Sequence, residues 1–517
     1  MKTVAVDGIV ATEEKKLSRP LICLCLTGKT LAEDVAIVNK YRQHIDAVEL
    51  RADFLDEDER LHIRNFPTMI EVPAILTIRR FIDGGTYREG EASRATLFAK
   101  GLAFAEEDAR RNFAYVDFEE DFHVTGLQDG AMAFGTKIIR SFHDMNNPVR
   151  NIVAKMNSLR ASGYEIPKIA CMPHSLKDVT TLFSEAAELE DNNQILIAMG
   201  KFGLPTRILA HKMHSMLTFC SPAELSTNLH ELGQIDPVTL NELYHFRSIN
   251  EQTALFGITG WPLNVTSSPK LHNSAFKRDG INAVFIPFRS ESADEAFEFA
   301  NTVGIRGFSV TVPHKEAIIK HLDVIDSRVE AIGACNTVVK QQGLWNGYNT
   351  DCPGFAQALK EFVWQDSLKG RKVAIIGAGG ASRAVAAAVS QLGAKACIFN
   401  RTLGKAKTIA DVYKFEYATL GPESVGTLKK YADIIIQTTS KGMGSKEAPG
   451  VENDPLYFYD FTGKEMVSDI VYEPDITPIM QRAKAAGCRV QNGLAMLKYQ
   501  GIEQYELYKT ACAEDMR

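Results

Sequence analysis

The segment Val373-Ala-Ile-Ile-Gly377-Ala378-Gly379-Gly380-Ala381-Ser-Arg383, read together with Asn400-Arg401-Thr402, constrains this chain more than any other feature. An apolar run ends in a glycine-rich turn, and an alanine-rich stretch follows over 384–392. A second apolar run, 396–399, then ends on Asn400 and Arg401. Strand, tight turn, helix and strand in that order form the β-α-β unit that binds a dinucleotide. Gly377 lets the chain turn off the strand, and Gly379 lets the backbone approach a pyrophosphate. The helix N-terminus offers free N–H groups and a positive dipole end to that anion. The third glycine of the usual pattern is displaced, and the glycines alone would also fit an ordinary strand-to-helix turn. The second strand with its terminal arginine favours the dinucleotide reading. No Gly-Lys-Ser/Thr follows, so the loop is not a Walker A motif. An acidic residue usually ends the second strand, to hold the ribose 2′-hydroxyl of NAD. Here Arg401, with Lys405 close behind, suits a 2′-phosphate, which points to NADP(H).

At 517 residues the chain has room for roughly three domains of about 150 residues each. Hydrophobic content of 45% and charged content of 24% fit a soluble globular protein. A net charge of −6 without a basic block argues against nucleic acid as a partner. No apolar run approaches the roughly 20 residues a membrane span needs, so no membrane association is expected. Residues 1–20 have neither the plan of a secretory signal nor the acid-poor character of a transit peptide. Nine cysteines without a Cys-x-x-Cys pair point to a reducing compartment. That is the cytoplasm, or the plastid stroma if a leader has been removed. His211 and His214 share a helical face, but no carboxylate pattern joins them, so no metal site is expected.

Apolar runs recur at 21–26, 47–50, 74–78, 115–118, 137–141, 168–172, 194–199 and 216–219, with amphipathic stretches such as 93–110 and 149–162 between them. Eight strands alternating with helices over about 225 residues suggest a (β/α)8 barrel, with its chemistry at the C-terminal strand ends. A polar stretch, 244–253, marks a junction. From 255 to about 355 strands and helices alternate again, the dinucleotide unit follows, and the last helix, 494–513, is expected to return onto the 255–355 region. The expected domains are therefore 19–245, 253–355 completed by 490–517, and 356–489.

In the first half, Ile166-Pro-Lys168-Ile-Ala-Cys puts a lysine on an apolar strand, where an ammonium is costly and the pKa is expected to fall toward that of a nucleophilic amine. Such a lysine can form an imine with a ketone. The preceding strand ends Arg140-Ser-Phe-His143-Asp144, which supplies a general acid/base near neutral pH. Arg51, Arg79 and Arg207 suit a substrate carboxylate or hydroxyls, although for any one of them alone a structural ion pair is the favoured reading.

Here the chain resembles the type I 3-dehydroquinate dehydratases. The matching pieces are Glu49-Leu-Arg51, Arg79 followed by Asp83-Gly-Gly85, Ser141-Phe-His143-Asp144, Pro167-Lys168, Met199-Gly200 with Arg207, and Gly233-Gln234, in the family's order over about 20–240. The resemblance implies that Lys168 forms the imine and that His143 removes the adjacent proton, then helps water leave. It implies that Arg207 holds the carboxylate, and that Glu49, Arg51, Arg79 and Gln234 hold hydroxyls and a mobile lid. The family usually has Glu where Asp83 stands, to orient the histidine. His230-Glu-Leu-Gly-Gln234 also lacks the serine usual in the closing loop.

In the second half, Val310-Thr311-Val-Pro313-His-Lys315, Ala334-Cys-Asn336-Thr337 and Gly347-Tyr-Asn349-Thr350-Asp351 bring lysine, aspartate, amides and hydroxyls toward one small polar ligand. A lysine–aspartate pair can relay a proton during hydride transfer. This half resembles shikimate dehydrogenase across about 253–517. Gly260-Trp-Pro-Leu-Asn-Val-Thr266-Ser-Ser268 and Asn492-Gly-Leu-Ala-Met-Leu-Lys-Tyr-Gln500 match as well. The resemblance implies Lys315 and Asp351 as the catalytic pair, with Thr266, Ser268, Thr311, Asn336, Tyr472 and Gln500 around the substrate. It places Gly377, Ala378, Gly379, Gly380, Ala381, Asn400, Arg401, Thr402, Lys405, Thr438 and Met443 around NADP(H). The family generally has Ser where Thr266 stands, so an extra methyl crowds the pocket and bears on shikimate against quinate.

The expected fold class is α/β, a TIM barrel followed by a two-domain dehydrogenase with a Rossmann unit. The expected activities are dehydration of 3-dehydroquinate to 3-dehydroshikimate and its reduction to shikimate. The expected partners are those small molecules, with the oligomeric state open. The alternative is a quinate/shikimate dehydrogenase whose barrel is weakened or only binds ligand.

Overall fold

The computed structural model describes residues 19–103, 108–224, 232–263 and 266–514. Two compact units divide between Glu251 and Gln252.

The first unit carries eight strands: β1 (Leu21–Leu26), β2 (Ala47–Arg51), β3 (Ala74–Thr77), β4 (Tyr115–Glu119), β5 (Lys137–Asp144), β6 (Ile166–Cys171), β7 (Ile195–Ala198) and β8 (Leu217–Cys220). All eight apolar runs of the sequence are strands. They are parallel in the order β7-β6-β5-β4-β3-β2-β1-β8. The ring approaches closure through a bridge between Gln194 and Ser215, where the Met216 amide donates to the Gln194 carbonyl at 2.7 Å. Alternation along each strand serves two cores. In β1, Ile22, Leu24 and Leu26 pack outward with Val38 and Tyr41 of the helix Leu31–Tyr41, while Cys23 and Cys25 turn inward with Ile75, Ile197 and Phe219. Burial on both faces explains why these strands read as continuous apolar runs. Each fully buried aliphatic side chain contributes about 1.5–3 kcal/mol. The helix Leu31–Tyr41 starts where Thr30 Oγ1 accepts from the Glu33 amide and the Glu33 carboxylate accepts from the Thr30 amide.

The second unit contains two sheets. One comprises β9 (Ala254–Thr259), β10 (Ala283–Pro287), β11 (Ile305–Val310), β12 (Val324–Ile325), β13 (Thr337–Gln341) and β14 (Leu344–Tyr348), in the order β10-β9-β11-β13-β14-β12. Strands β9 to β11 are parallel, but β13 runs antiparallel to β11 and forms a hairpin with β14. The sequence suggested simple strand–helix alternation here; the two-residue turn Gln342-Gly343 leaves no room for a crossover helix. The other sheet comprises β15 (Lys372–Ile376), β16 (Lys395–Asn400), β17 (Glu416–Thr419), β18 (Ile434–Gln437), β19 (Met466–Asp469) and β20 (Arg489–Gln491). It is parallel in the order β17-β16-β15-β18-β19-β20, so its topological switch lies between β15 and β18, at the end of the glycine-rich loop. The helix Leu494–Glu514 packs on the first of these sheets: Tyr508 stacks near Phe256 and Phe285, and Tyr505 donates to Asp279 at 2.7 Å. All nine cysteines are free and buried. Among the described residues no helix is long and apolar enough to cross a membrane, and no side-chain cluster could hold a metal ion.

Candidate active sites

One cavity opens inside the barrel, lined by groups that include Glu49, Arg51, Arg79, Asp83, His143, Lys168, Arg207 and Gln234. Register explains the convergence. Lys168 on β6 pairs with Ser141 on β5, and His143 with Ala170, so His143 and Lys168 share the inward face two residues apart. Lys168 Nζ stands 2.7 Å from Asp117 Oδ2, 3.7 Å from Glu49 Oε1 and 4.6 Å from the centre of the Phe219 ring. Its surroundings are therefore charged, not apolar as its strand suggested: β2 and β4 each turn an acid toward it. Asp117 also accepts from Ser141 Oγ at 2.5 Å and pairs with Arg79 at 2.8 Å. Burial alone would raise the Asp117 carboxyl, but Arg79 and Lys168 outweigh it and hold it far below the usual carboxylate range.

His143 is shifted the other way. Burial, with Arg79 and Lys168 nearby, pushes its pKa well below the ordinary histidine value despite the Asp117 charge. The imidazole is thus neutral at neutral pH, the form a base requires. Among the described residues its buried Nδ1 has no hydrogen-bond partner. Asp83 does not supply one, contrary to the orienting role expected of it: its Oδ2 accepts from Arg80 Nε at 2.6 Å. The side chain is one methylene shorter than the usual Glu, and a neighbouring guanidinium holds it.

Arg79 also donates to Glu119 Oε1 at 2.7 Å, Arg51 binds Asp53 in two-pronged fashion at 2.9 and 3.0 Å, and Glu49 accepts from Thr77 at 2.8 Å. Arg207, 2% exposed, differs from these arginines. Among the described residues it donates only to the carbonyls of Phe219 (3.3 Å) and Leu232 (2.9 Å), and its Nε has no partner. No carboxylate pairs with it among the described residues, and burial lowers its pKa to about 10. Gln234 donates weakly to Cys25 Sγ at 3.7 Å, and its Oε1 has no partner among the described residues. His230 lies outside the described residues.

In the second unit, Lys315 Nζ and Asp351 Oδ2 are 2.5 Å apart. Lys315 follows β11, and Asp351 opens the helix Asp351–Val363, where the dipole favours its charge. Asn336 Nδ2 donates to Asp351 Oδ1 at 2.9 Å, Thr350 Oγ1 at 2.9 Å and Gln500 Oε1 at 3.3 Å. The Asn336 amide is oriented from behind: its oxygen accepts from Thr337 Oγ1 and the Thr350 amide, and Gln504 in turn donates to Thr337 at 2.8 Å. Thr266 Oγ1 and Ser268 Oγ are 3.3 Å apart. Thr311 is half-buried just after β11, and Tyr472 is half-buried just after β19.

The glycine-rich loop reaches this pair. A carbon added at Gly380 would stand 3.5 Å from the Lys315 side chain. Gly377 has φ +115, and a Cβ there would meet Thr438 Oγ1 at 2.6 Å, so only glycine fits. At Gly379 an added carbon meets nothing within 4 Å, so the backbone is open to a pyrophosphate between Ala378 and Ala381 at the start of the helix Gly380–Gln391. Thr438 lies beneath the loop instead of facing a ligand: its hydroxyl donates to the Ile376 carbonyl at 2.7 Å and bonds Ser382 Oγ at 2.6 Å. Met443 is 61% exposed beyond β18. At the end of β16, Asn400 Nδ2 donates to the Thr402 carbonyl, while Arg401 and Lys405 are exposed and in no ion pair among the described residues. Two uncommitted cations beside an open helix N-terminus fit NADP(H).

Comparison with known proteins agrees with this division of sites. Family models match at residues 22–251 (type I 3-dehydroquinase), 258–338 (shikimate dehydrogenase substrate binding domain) and 357–454 (shikimate / quinate 5-dehydrogenase). The NADP(+) shikimate dehydrogenase of Shouchella clausii is 40% identical over 258 residues, 49% of this chain and 92% of that protein. The chain belongs to the shikimate dehydrogenase family, with a type I 3-dehydroquinase region ahead of it. The chloroplastic bifunctional 3-dehydroquinate dehydratase/shikimate dehydrogenase of Arabidopsis thaliana is 29% identical over 94% of this chain and 82% of its own length. Among solved structures, the Aquifex aeolicus shikimate dehydrogenase is 34% identical over 51% of this chain and 98% of its own, with a TM-score of 0.45.

The dehydratase-region residues that sequence reasoning left without a role are Asp117 as the direct partner of Lys168, and Glu119, which ties Arg79 to the buried Arg94. A signal existed: Tyr-Val-Asp-Phe-Glu puts both acids on one face of β4 by its two-residue period. In the dehydrogenase half the overlooked residue is Gln504, and nothing in local sequence links it to Thr337, 167 residues away along the chain.

Proposed function

We propose that the chain converts 3-dehydroquinate to 3-dehydroshikimate in the barrel and reduces that product to shikimate in the second unit with NADPH. The observation that carries this is the pairing of a lysine with a neutral histidine in one cavity inside the barrel, alongside a separate lysine–aspartate pair beside a dinucleotide loop. In the barrel, Arg207 takes the substrate carboxylate and brings the ketone to Lys168. To attack, Lys168 must be a free amine, and neutral His143 is the cavity group able to accept its proton. Attack gives a carbinolamine; the imidazolium returns the proton to its hydroxyl, and loss of water gives an imine and restores neutral His143. The imine withdraws electrons from the neighbouring carbon, His143 removes a proton there, and the protonated imidazole then delivers a proton to the departing hydroxyl. Hydrolysis of the imine releases the enone and restores Lys168. Glu49, Arg51, Arg79 and Gln234 hold hydroxyls, the first three already fixed by Thr77, Asp53 and Asp117.

In the second unit, bound NADPH supplies a hydride. Lys315, hydrogen-bonded to Asp351, gives a proton to the ketone oxygen as it becomes an alcohol, and Asp351 stabilises the pair. Thr266 and Ser268 meet the carboxylate, while Thr311, Asn336, Tyr472 and Gln500 surround the hydroxyls. Gly377 to Ala381 would hold the pyrophosphate and Asn400, Arg401, Thr402 and Lys405 the 2′-phosphate, with the segment of Thr438 and Met443 serving the nicotinamide. Nine buried free thiols suit a reducing compartment, the cytoplasm or a plastid stroma. The test is borohydride reduction in the presence of 3-dehydroquinate followed by peptide mass spectrometry. A stable adduct on Lys168 supports the imine route, and a protein that keeps its mass while still dehydrating the substrate rejects it.

A further inference from the structure

Arg80 stands outside the machinery just described, yet it is the group that determines where the Asp83 carboxylate goes. Its Nε donates to Asp83 Oδ2 at 2.6 Å, and its Nη1 donates to Asp121 Oδ2 at 2.9 Å. The backbone reinforces the arrangement, since the amides of Asp83 and Gly85 donate to the Arg80 carbonyl at 3.1 and 2.9 Å. The turn is also pinned from the histidine side. Gly84 has φ +82, and a Cβ there would meet Met145 Cε at 2.6 Å, two residues beyond His143. Asp83, Met145 and His143 line the same cavity. The buried His143 Nδ1 has no hydrogen-bond partner among the described residues.

We propose that Arg80 is a positioning residue of the dehydratase site: it holds the Asp83 carboxylate and so withholds the acceptor that would orient His143. The base then works from an unpaired Nδ1, held by packing and by substrate. The inference rests on the dehydratase reading above. The charged groups facing His143 are Arg79, Lys168 and Arg51, with Asp117 as the opposing anion, and those facing Arg80 are Asp83, Asp121, Glu91 and Glu119. Adding a freed Asp83 to the first set supplies a second anion next to an imidazole now dominated by cations. That favours imidazolium, so the base should titrate at higher pH.

The test measures dehydratase kcat and kcat/KM against pH for the native chain, R80Q, D83N, the double variant and R80K. Release of Asp83 in R80Q should raise the acid limb of kcat/KM by about 0.5 pH unit or more. The D83N loss in kcat should be about fivefold or more larger in the R80Q background than in the native one. R80K, which keeps a cation beside Asp83, should titrate like the native chain. Superimposable acid limbs for native and R80Q, or an equal D83N loss in both backgrounds, would overturn the proposal. If R80Q fails to fold by circular dichroism, R80M makes the same comparison with the apolar stem kept. A native chain that produces no enone at all fails the dehydratase reading itself, which is a different outcome from either of these.

Discussion

Replacing Arg207 by Met separates a ligand-binding cation from a structural one. The pKa drop from 12.5 to about 10 corresponds to roughly 3 kcal/mol, at about 1.4 kcal/mol per pH unit, by which the folded, ligand-free barrel disfavours this charge. The sign follows from the direction. The folded-state value lies below the unfolded one, so the cost is fully present below about pH 10 and fades only as the pH rises above it. Methionine keeps most of the volume and removes that cost. It also removes two donors, those to the Phe219 and Leu232 carbonyls, at about 1 kcal/mol each. The two effects nearly cancel, so R207M should unfold within a few degrees of the native chain. The substrate carboxylate, however, loses a buried charged partner, at about 1.5–3 kcal/mol for each of two hydrogen bonds. We therefore expect kcat/KM for dehydration to fall by about 100-fold or more, mainly through KM. Ligand-induced stabilisation, read as the shift of the first melting transition with added substrate, should disappear. A variant that melts far below the native chain yet keeps its KM would mean that Arg207 is a strut for the closing loop, and the reasoning would be wrong.

Further substitutions test the division of labour. Lys168→Ala should abolish dehydration while leaving reduction of supplied 3-dehydroshikimate intact, and Lys315→Ala should do the reverse; loss of both activities from either change in a folded chain contradicts two separate sites. Arg401→Ala should weaken NADPH far more than NADH in KM titrations, and equal losses refute the 2′-phosphate assignment. The depressed His143 pKa predicts that dehydratase kcat/KM keeps its plateau below pH 6.5, with the acid limb lying lower still; a limb at or above the ordinary histidine value contradicts a base held neutral by burial and its cationic neighbours.

The barrel was readable because a parallel strand buried on both faces leaves a continuous apolar run, and eight such runs became eight strands. The β13–β14 hairpin was harder to see, because its Gln342-Gly343 turn carries only a weak signal beside the stronger strand–helix alternation around it. Among the side chains, Lys168, His143, Lys315 and Asp351 stood out because each is a reactive group on or just beyond a strand. What surrounds them was not legible. Asp117 reaches Lys168 from a strand 51 residues away, and Gln504 supports the Asn336 site from 168 residues away. Such contacts depend on barrel register and on where the last helix lands. Thr438 shows the opposite limit: a hydroxyl at the expected place is consumed in holding the glycine-rich loop.

The most direct test of the account is one cuvette in which 3-dehydroquinate is incubated with the full chain and NADPH is added afterwards. The absorbance of a conjugated enone should rise first, then fall as an equivalent amount of NADPH is oxidised. An enone that survives NADPH would contradict the proposed reduction, and the absence of any enone would contradict the chemistry assigned to Lys168 and His143.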